Sequence, residues 1–139
     1  MSSFTFHHVG VAVQDLTAAT SNFEKMFGYK PQSGPFDDPI QKVTVNFLAQ
    51  GVEDVAEIEL IAPLTKDSPI QSMLAKNRGG AYHLCFETSD MEGALAHAAS
   101  VGCLIASRAE QAVAFGGRRI AWIYTKTGQL FELVESEKR

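Results

Sequence analysis

The 139-residue chain is predicted to be an α+β protein, two βαβββ modules whose curved mixed sheets surround a shared cleft. Three observations predict it. The opening strand, His8-Val-Gly-Val-Ala-Val-Gln-Asp15, returns 75 residues later as His83-Leu-Cys-Phe-Glu-Thr-Ser-Asp90. Each half closes on an apolar strand carrying one glutamate, Ile58-Glu59-Leu60-Ile61 and Phe131-Glu132-Leu133-Val134, at offsets of 51 and 49 from its histidine. Each half also sets a capped helix pattern directly after its first strand. Self-similarity of this kind marks repeated structural units. The modules span 1–64 and 79–139, joined by a linker at 65–78 into one domain.

Phe6 to Val13 is rich in β-branched and aromatic residues and reads as a strand. Asp15 is a good N-cap for a helix over Thr17 to Phe27, and Gly28 supplies its C-terminal stop. Leu16, Ala19, Phe23 and Phe27 share one face of that helix. Pro31, Pro35 and Pro39 make the next stretch a loop or an irregular lead into the following strand. Lys42 to Leu48 alternates, with Val43, Val45 and Phe47 on one face and Lys42, Thr44 and Asn46 on the other. Glu57 to Ile61 is a strand that Pro63 ends.

The second half repeats the plan. Tyr82 to Glu87 is a strand, and Asp90 caps a helix over Met91 to Val101 that stops at Gly102. Strands at Ile120–Tyr124 and Leu130–Val134 flank the turn Lys126-Thr127-Gly128, and a weak strand is expected around Leu104–Ser107. Between the halves lie a short helix, Pro69 to Lys76, and a flexible joint, Arg78-Gly79-Gly80. A module of about 60 residues is too small to be comfortable alone. Pairing two of them buries one face of each sheet under its helix and leaves the other faces round the cleft.

Hydrophobic content of 45% and charged content of 20% are ordinary for a globular protein. A net charge of −4 argues against nucleic acid, which favours a basic face, and against an anionic membrane surface. No apolar run approaches the ~18–20 residues of a membrane span. The N-terminal residues carry no leader pattern. Two cysteines, Cys85 and Cys103, form neither a secreted-type framework nor a metal-ligand spacing. A cytoplasmic location is therefore expected.

His8 shares its face of the strand with Gly10 and Ala12, and His83 shares its face with Cys85. Phe131 and Leu133 lie opposite Glu132. The polar residues thus sit with small neighbours, as ligands facing a cleft would. A carboxylate turned into the helix-covered core would cost several kcal/mol without a partner. Two imidazoles and two carboxylates, His8, Glu59, His83 and Glu132, suit a borderline divalent ion: Mn, Fe, Co, Ni or Zn.

At these residues the chain resembles the vicinal-oxygen-chelate (glyoxalase/bleomycin-resistance) superfamily, and within it the methylmalonyl-CoA epimerases, over its full length. The stretches that carry the likeness are Phe6-His7-His8-Val9-Gly10, Ile58-Glu59-Leu60-Ile61-Ala62-Pro63, Asp67-Ser68-Pro69-Ile70, Gly80-Ala81-Tyr82-His83-Leu84 and Leu130-Phe131-Glu132-Leu133. The resemblance implies a glyoxalase-like fold and places His8, Glu59, His83 and Glu132 on four metal-ligand positions. It implies a homodimer and removal of the proton next to the carbonyl of a methylmalonyl-like acyl thioester, on coenzyme A or a carrier protein. In epimerases the position of Glu59 is often glutamine; glutamate makes the set resemble bacterial glyoxalase I. Some epimerases carry a proton-transfer glutamate on the second strand, where this chain offers Lys42, Thr44 and Asn46.

Glu132 is the first expected proton-transfer group, and Lys42 is the candidate for the opposite face of the substrate if desolvation lowers its pKa. Thr44, Asn46, Arg118 and Arg119 are the expected substrate contacts, the arginines toward a carboxylate or phosphate. Two other functions use the same cleft: a lactoylglutathione lyase of the glyoxalase I type, and a non-catalytic small-molecule-binding or resistance protein.

Overall fold

The computed structural model describes residues 4–53, 55–77 and 79–137. It divides into two compact units, residues 8–82, and residues 83–139 together with 1–7. The boundary falls inside the first strand, β1 (Phe4–Ala12).

The unit over 8–82 continues with α1 (Leu16–Phe27), β2 (Lys30–Asp38), β3 (Val43–Ala49), β4 (Glu57–Pro63) and α2 (Gln71–Asn77). Its strands lie in the order β2-β3-β4-β1, with β1 parallel to β4 and the other pairs antiparallel. The unit over 83–139 holds β5 (Gly80–Thr88) from His83 onward, α3 (Met91–Ser100), β6 (Leu104–Ile105), β7 (Glu110–Gln111), β8 (Arg119–Tyr124) and β9 (Leu130–Glu135). Here the order is β5-β9-β8-β6, with β7 also on β8, and β5 is parallel to β9. In both units the first and last strands of the module are parallel neighbours, so one plan has been built twice.

The caps act as read from the sequence. Asp15 Oδ1 accepts from the Ala18 amide at 3.0 Å and opens α1. Gly28, at φ 73°, closes it with its amide on the Glu24 carbonyl. Asp90 Oδ1 accepts from Gly93 N at 3.0 Å and opens α3. The α3 face formed by Met91, Ala94 and Ala98 is buried against Ala121, Ile123 and Leu133. Full burial of a side chain such as Met91 contributes about 1.5–3 kcal/mol. No residue of α1 is fully buried: Leu16, Ala19 and Phe23 are half-covered, and Phe27 is 60% exposed.

The proline-rich stretch differs from the expected loop, because it forms β2. The strand pairs with β3 through two register shifts, between Pro31 and Ser33 and between Ser33 and Phe36. Those shifts erase the alternation by which a strand is recognised, and an edge position tolerates the prolines. The short β7 and the 3-10 turn Val113–Phe115 had no periodic signal either. Other element ends move by a residue or two, as fraying ends do.

Arg78 of the expected joint lies outside the described residues. Gly79 is a close approach: at φ 118°, a β-carbon there would stand 2.5 Å from the Ala12 carbonyl oxygen. Among the described residues no helix is long and apolar enough to cross a membrane.

Candidate functional site

Cross-strand partners put their side chains on one face of a sheet, so register assigns the faces. In the 8–82 unit, Gly10 and Phe47 flank Glu59, and His8 sits beside Glu57. His8, Glu57, Glu59, Val45 and Phe47 therefore share a face. Gly10, without a side chain, leaves the space through which the His8 ring reaches Glu59: Nε2 and Oε1 are 3.3 Å apart. His8 is 0% and Glu59 4% exposed. The edge of the His8 ring meets the Phe47 ring, with centroids 5.4 Å apart at 76°.

The 83–139 unit repeats this arrangement with different residues. Cys85 and Trp122 flank Glu132, so the small Cys85 takes the place of Gly10 and Trp122 that of Phe47. His83 Nε2 lies 3.3 Å from Glu132 Oε1, and both residues are buried. His83 meets Trp122 edge-on, centroids 4.8 Å apart at 87°. Each unit thus presents a buried imidazole–carboxylate pair of equal spacing, with the imidazole held by one aromatic ring. The sequence reading missed both rings, although the signal was present: Phe47 and Trp122 each follow their histidine by 39 residues.

The donor set suits a metal. Two ligands about 2.1 Å from one ion and at adjacent positions lie about 3.0–3.4 Å apart, which matches the 3.3 Å of both pairs. Burying an imidazole and a carboxylate with no cation between them is a poor way to stabilise a fold.

Thr44 and Asn46 do not share the ligand face. Thr44 pairs with Ala62 and Asn46 with Leu60, which sets both on the side that carries α1. Asn46 Nδ2 donates to Thr20 Oγ1 of α1 at 3.3 Å, and Thr44 Oγ1 donates to Asp37 Oδ1 at 2.8 Å. The alternation in β3 was read correctly, but the face assigned to the ligands was the wrong one. Val43, Val45 and Phe47 line it.

Lys42 precedes β3 at φ 60°, and its ammonium binds Asp67 Oδ2 at 2.5 Å. That bond, with the Thr65 hydroxyl, holds the Asp67 carboxyl down at about 2. Arg118 donates to Glu87 Oε2 at 3.2 Å and to the Glu135 carbonyl at 2.8 Å. Arg119 is bound by Glu135 and Glu92, which raise its already high pKa. Both arginines line an open groove of about 790 Å³ with Phe115, Gly117 and Ser136, and carboxylates of their own unit answer their charge. Beside His8, burial pushes the Glu57 carboxyl above its usual range; the Glu59 charge adds to this and His8 opposes it.

A repeated βαβββ unit with one histidine and one glutamate per copy defines the class. The sequence profile of the Glyoxalase/Bleomycin resistance protein/Dioxygenase superfamily matches residues 7–122, and the chain belongs to that superfamily. It is 32% identical over 130 residues to the ethylmalonyl-CoA/methylmalonyl-CoA epimerase of Cereibacter sphaeroides, covering 91% of this chain and 94% of the relative. Among solved structures it resembles the methylmalonyl-CoA epimerase of Mycobacterium tuberculosis, with a TM-score of 0.84 at 29% identity over 96% of this chain and 88% of that one. It also resembles the Streptomyces coelicolor methylmalonyl-CoA epimerase in complex with 2-nitronate-propionyl-CoA, with a TM-score of 0.85 at 27% identity over 98% of this chain and 100% of that one.

Proposed function

We propose that this chain is a metal-dependent epimerase that moves the proton alpha to the carbonyl of a methylmalonyl-CoA-like acyl thioester. The observation that carries the reading is the duplication: two buried His–Glu pairs, at matching places in two copies of one plan, with the same 3.3 Å spacing. His8, Glu59, His83 and Glu132 would together hold one divalent ion. For that, modules 1–64 and 79–139 act as a single domain. Relatives named as epimerases, one of them alike over nearly its whole length, support the substrate class.

When bound, the metal supplies Lewis-acid polarisation of the thioester carbonyl. The protein's own residues do the rest. Glu132 takes the α-proton as the C–H pair moves into the enolate, and a proton returned to the opposite face completes inversion. Phe47 and Trp122 fix the two imidazole rings and exclude water beside them. The 71% exposed Met26 and 60% exposed Phe27 of α1 support a homodimer in which they are covered; sedimentation equilibrium reads this.

A glyoxalase I-like lyase is the second reading, favoured by glutamate at position 59. One experiment separates the two. Protein stripped of metal and reloaded with Co, Mn, Ni or Zn is given methylmalonyl-CoA in D₂O, and α-deuteration is followed by NMR. Metal-dependent exchange that Glu132→Gln abolishes is the expected result. No exchange in well-loaded protein, with turnover of a glutathione hemithioacetal instead, would retire the epimerase.

A further inference from the structure

Inversion at carbon needs a proton removed from one face and another delivered to the opposite face. Glu132 serves one side in the reading above, on which this inference rests, and the other side needs its own acid. The residues first considered for it are committed elsewhere: Lys42 to Asp67, and Thr44 and Asn46 to the α1 side of the sheet. Across β1 to β4, the carboxylates on the ligand face include Asp38, Glu57 and Glu59 beside His8, and Asp38 Oδ1 already accepts from the amides of Ile40 and Gln41 at 3.0 Å.

We propose that Glu57 is the second proton-transfer group. Its Cα is the register partner of His8, and it stands two residues before Glu59 on the same face of β4. It is half-buried, unlike the fully buried Glu59. Among the described residues no hydrogen bond or ion pair engages that carboxylate.

The duplication allows a comparison. The position equivalent to Glu57, two residues before the glutamate of the second unit, is Leu130. The two units therefore differ in a carboxylate at this place, as they differ at Gly10, where the second unit has Cys85. In the forward direction the α-C–H bond breaks, its proton goes to the Glu132 carboxylate and its electron pair to the enolate. The protonated Glu57 then forms the new C–H bond from the other side. In the reverse direction the two groups exchange roles, and no oxidant or further reactant is needed.

The test uses the metal-loaded full chain, Glu57→Gln and Glu132→Gln, with each methylmalonyl-CoA stereoisomer supplied separately in D₂O. For Glu57→Gln we expect inversion to fall at least ~100-fold, while one stereoisomer still exchanges its α-hydrogen and the other does not. Glu132→Gln should show the opposite preference. Metal content by elemental analysis should match wild type in Glu57→Gln, and Glu57→Asp should recover part of the inversion. Inversion at the wild-type rate in Glu57→Gln would overturn the proposal, as would equal loss of exchange from both stereoisomers together with loss of metal. Absence of exchange in the wild-type protein would instead overturn the epimerase reading, and this inference with it.

Discussion

Gly79 is the position where a single methyl group should do the most damage to the first unit. Its φ of 118° is a conformation that residues with a side chain rarely adopt, and holding alanine there costs about 1–3 kcal/mol. The added β-carbon would also lie 2.5 Å from the backbone oxygen of Ala12, 0.5 Å inside the 3.0 Å that such contacts essentially never breach. A backbone atom cannot swing aside as a side-chain tip can, so β1 or the segment after α2 must shift. Together the two effects should cost about 2–4 kcal/mol, a melting temperature lower by roughly 6–16 °C for a chain of this size. Gly80→Ala is the control. Its φ of 126° carries the conformational cost, but nothing lies within 4 Å of the new carbon. Thermal unfolding followed by circular dichroism, in chelator so that metal binding adds nothing, should rank wild type above Gly80→Ala above Gly79→Ala. A Gly79→Ala protein melting within about 2 °C of wild type would show that the segment is a loose joint after all, and the reasoning from close approach would fail.

Three further outcomes are expected. Adding Co²⁺ to stripped protein at 100 times its dissociation constant should stabilise the fold by about 2.7 kcal/mol, a thermal shift that His83→Leu should abolish. The Asp67 carboxyl should titrate near 2 by NMR, and Lys42→Met should move it up toward its ordinary 3.8. Because the folded value is depressed, this pair's contribution to stability is present above about pH 4 and fades as pH falls from 3.8 toward 2. Thr44→Val, on the α1 side of the sheet, should leave KM for methylmalonyl-CoA unchanged; a several-fold rise would put Thr44 back among the substrate contacts.

Local chemistry made much of this fold readable in advance. Asp15, Asp90 and Gly28 announce helix ends because capping is decided within a turn of chain. The duplicated His-to-Glu spacing pointed to the pairs because it survives as sequence distance. β2 was hidden because its pairing slips twice, between Pro31 and Ser33 and between Ser33 and Phe36, and irregular strands leave no period to count. The face of β3 was misassigned for a different reason. Alternation separates Val43, Val45 and Phe47 from Thr44 and Asn46, but which set meets Glu59 is fixed by register against β4, a long-range property. Polar residues looked like the site's lining, whereas the ligand-bearing face is largely apolar around its few donors, as binding sites generally are.

Trp122 is the single tryptophan of the chain, and its indole lies edge-on to the imidazole of His83, 4.8 Å between centroids. Its near-ultraviolet emission should therefore respond to whatever His83 binds, and an open-shell ion such as Co²⁺ or Ni²⁺ should quench it. The counterpart ring in the first half is Phe47, which is silent under tryptophan excitation. Binding of an ion at His83 can thus be followed in real time in the unlabelled protein, with no substrate present.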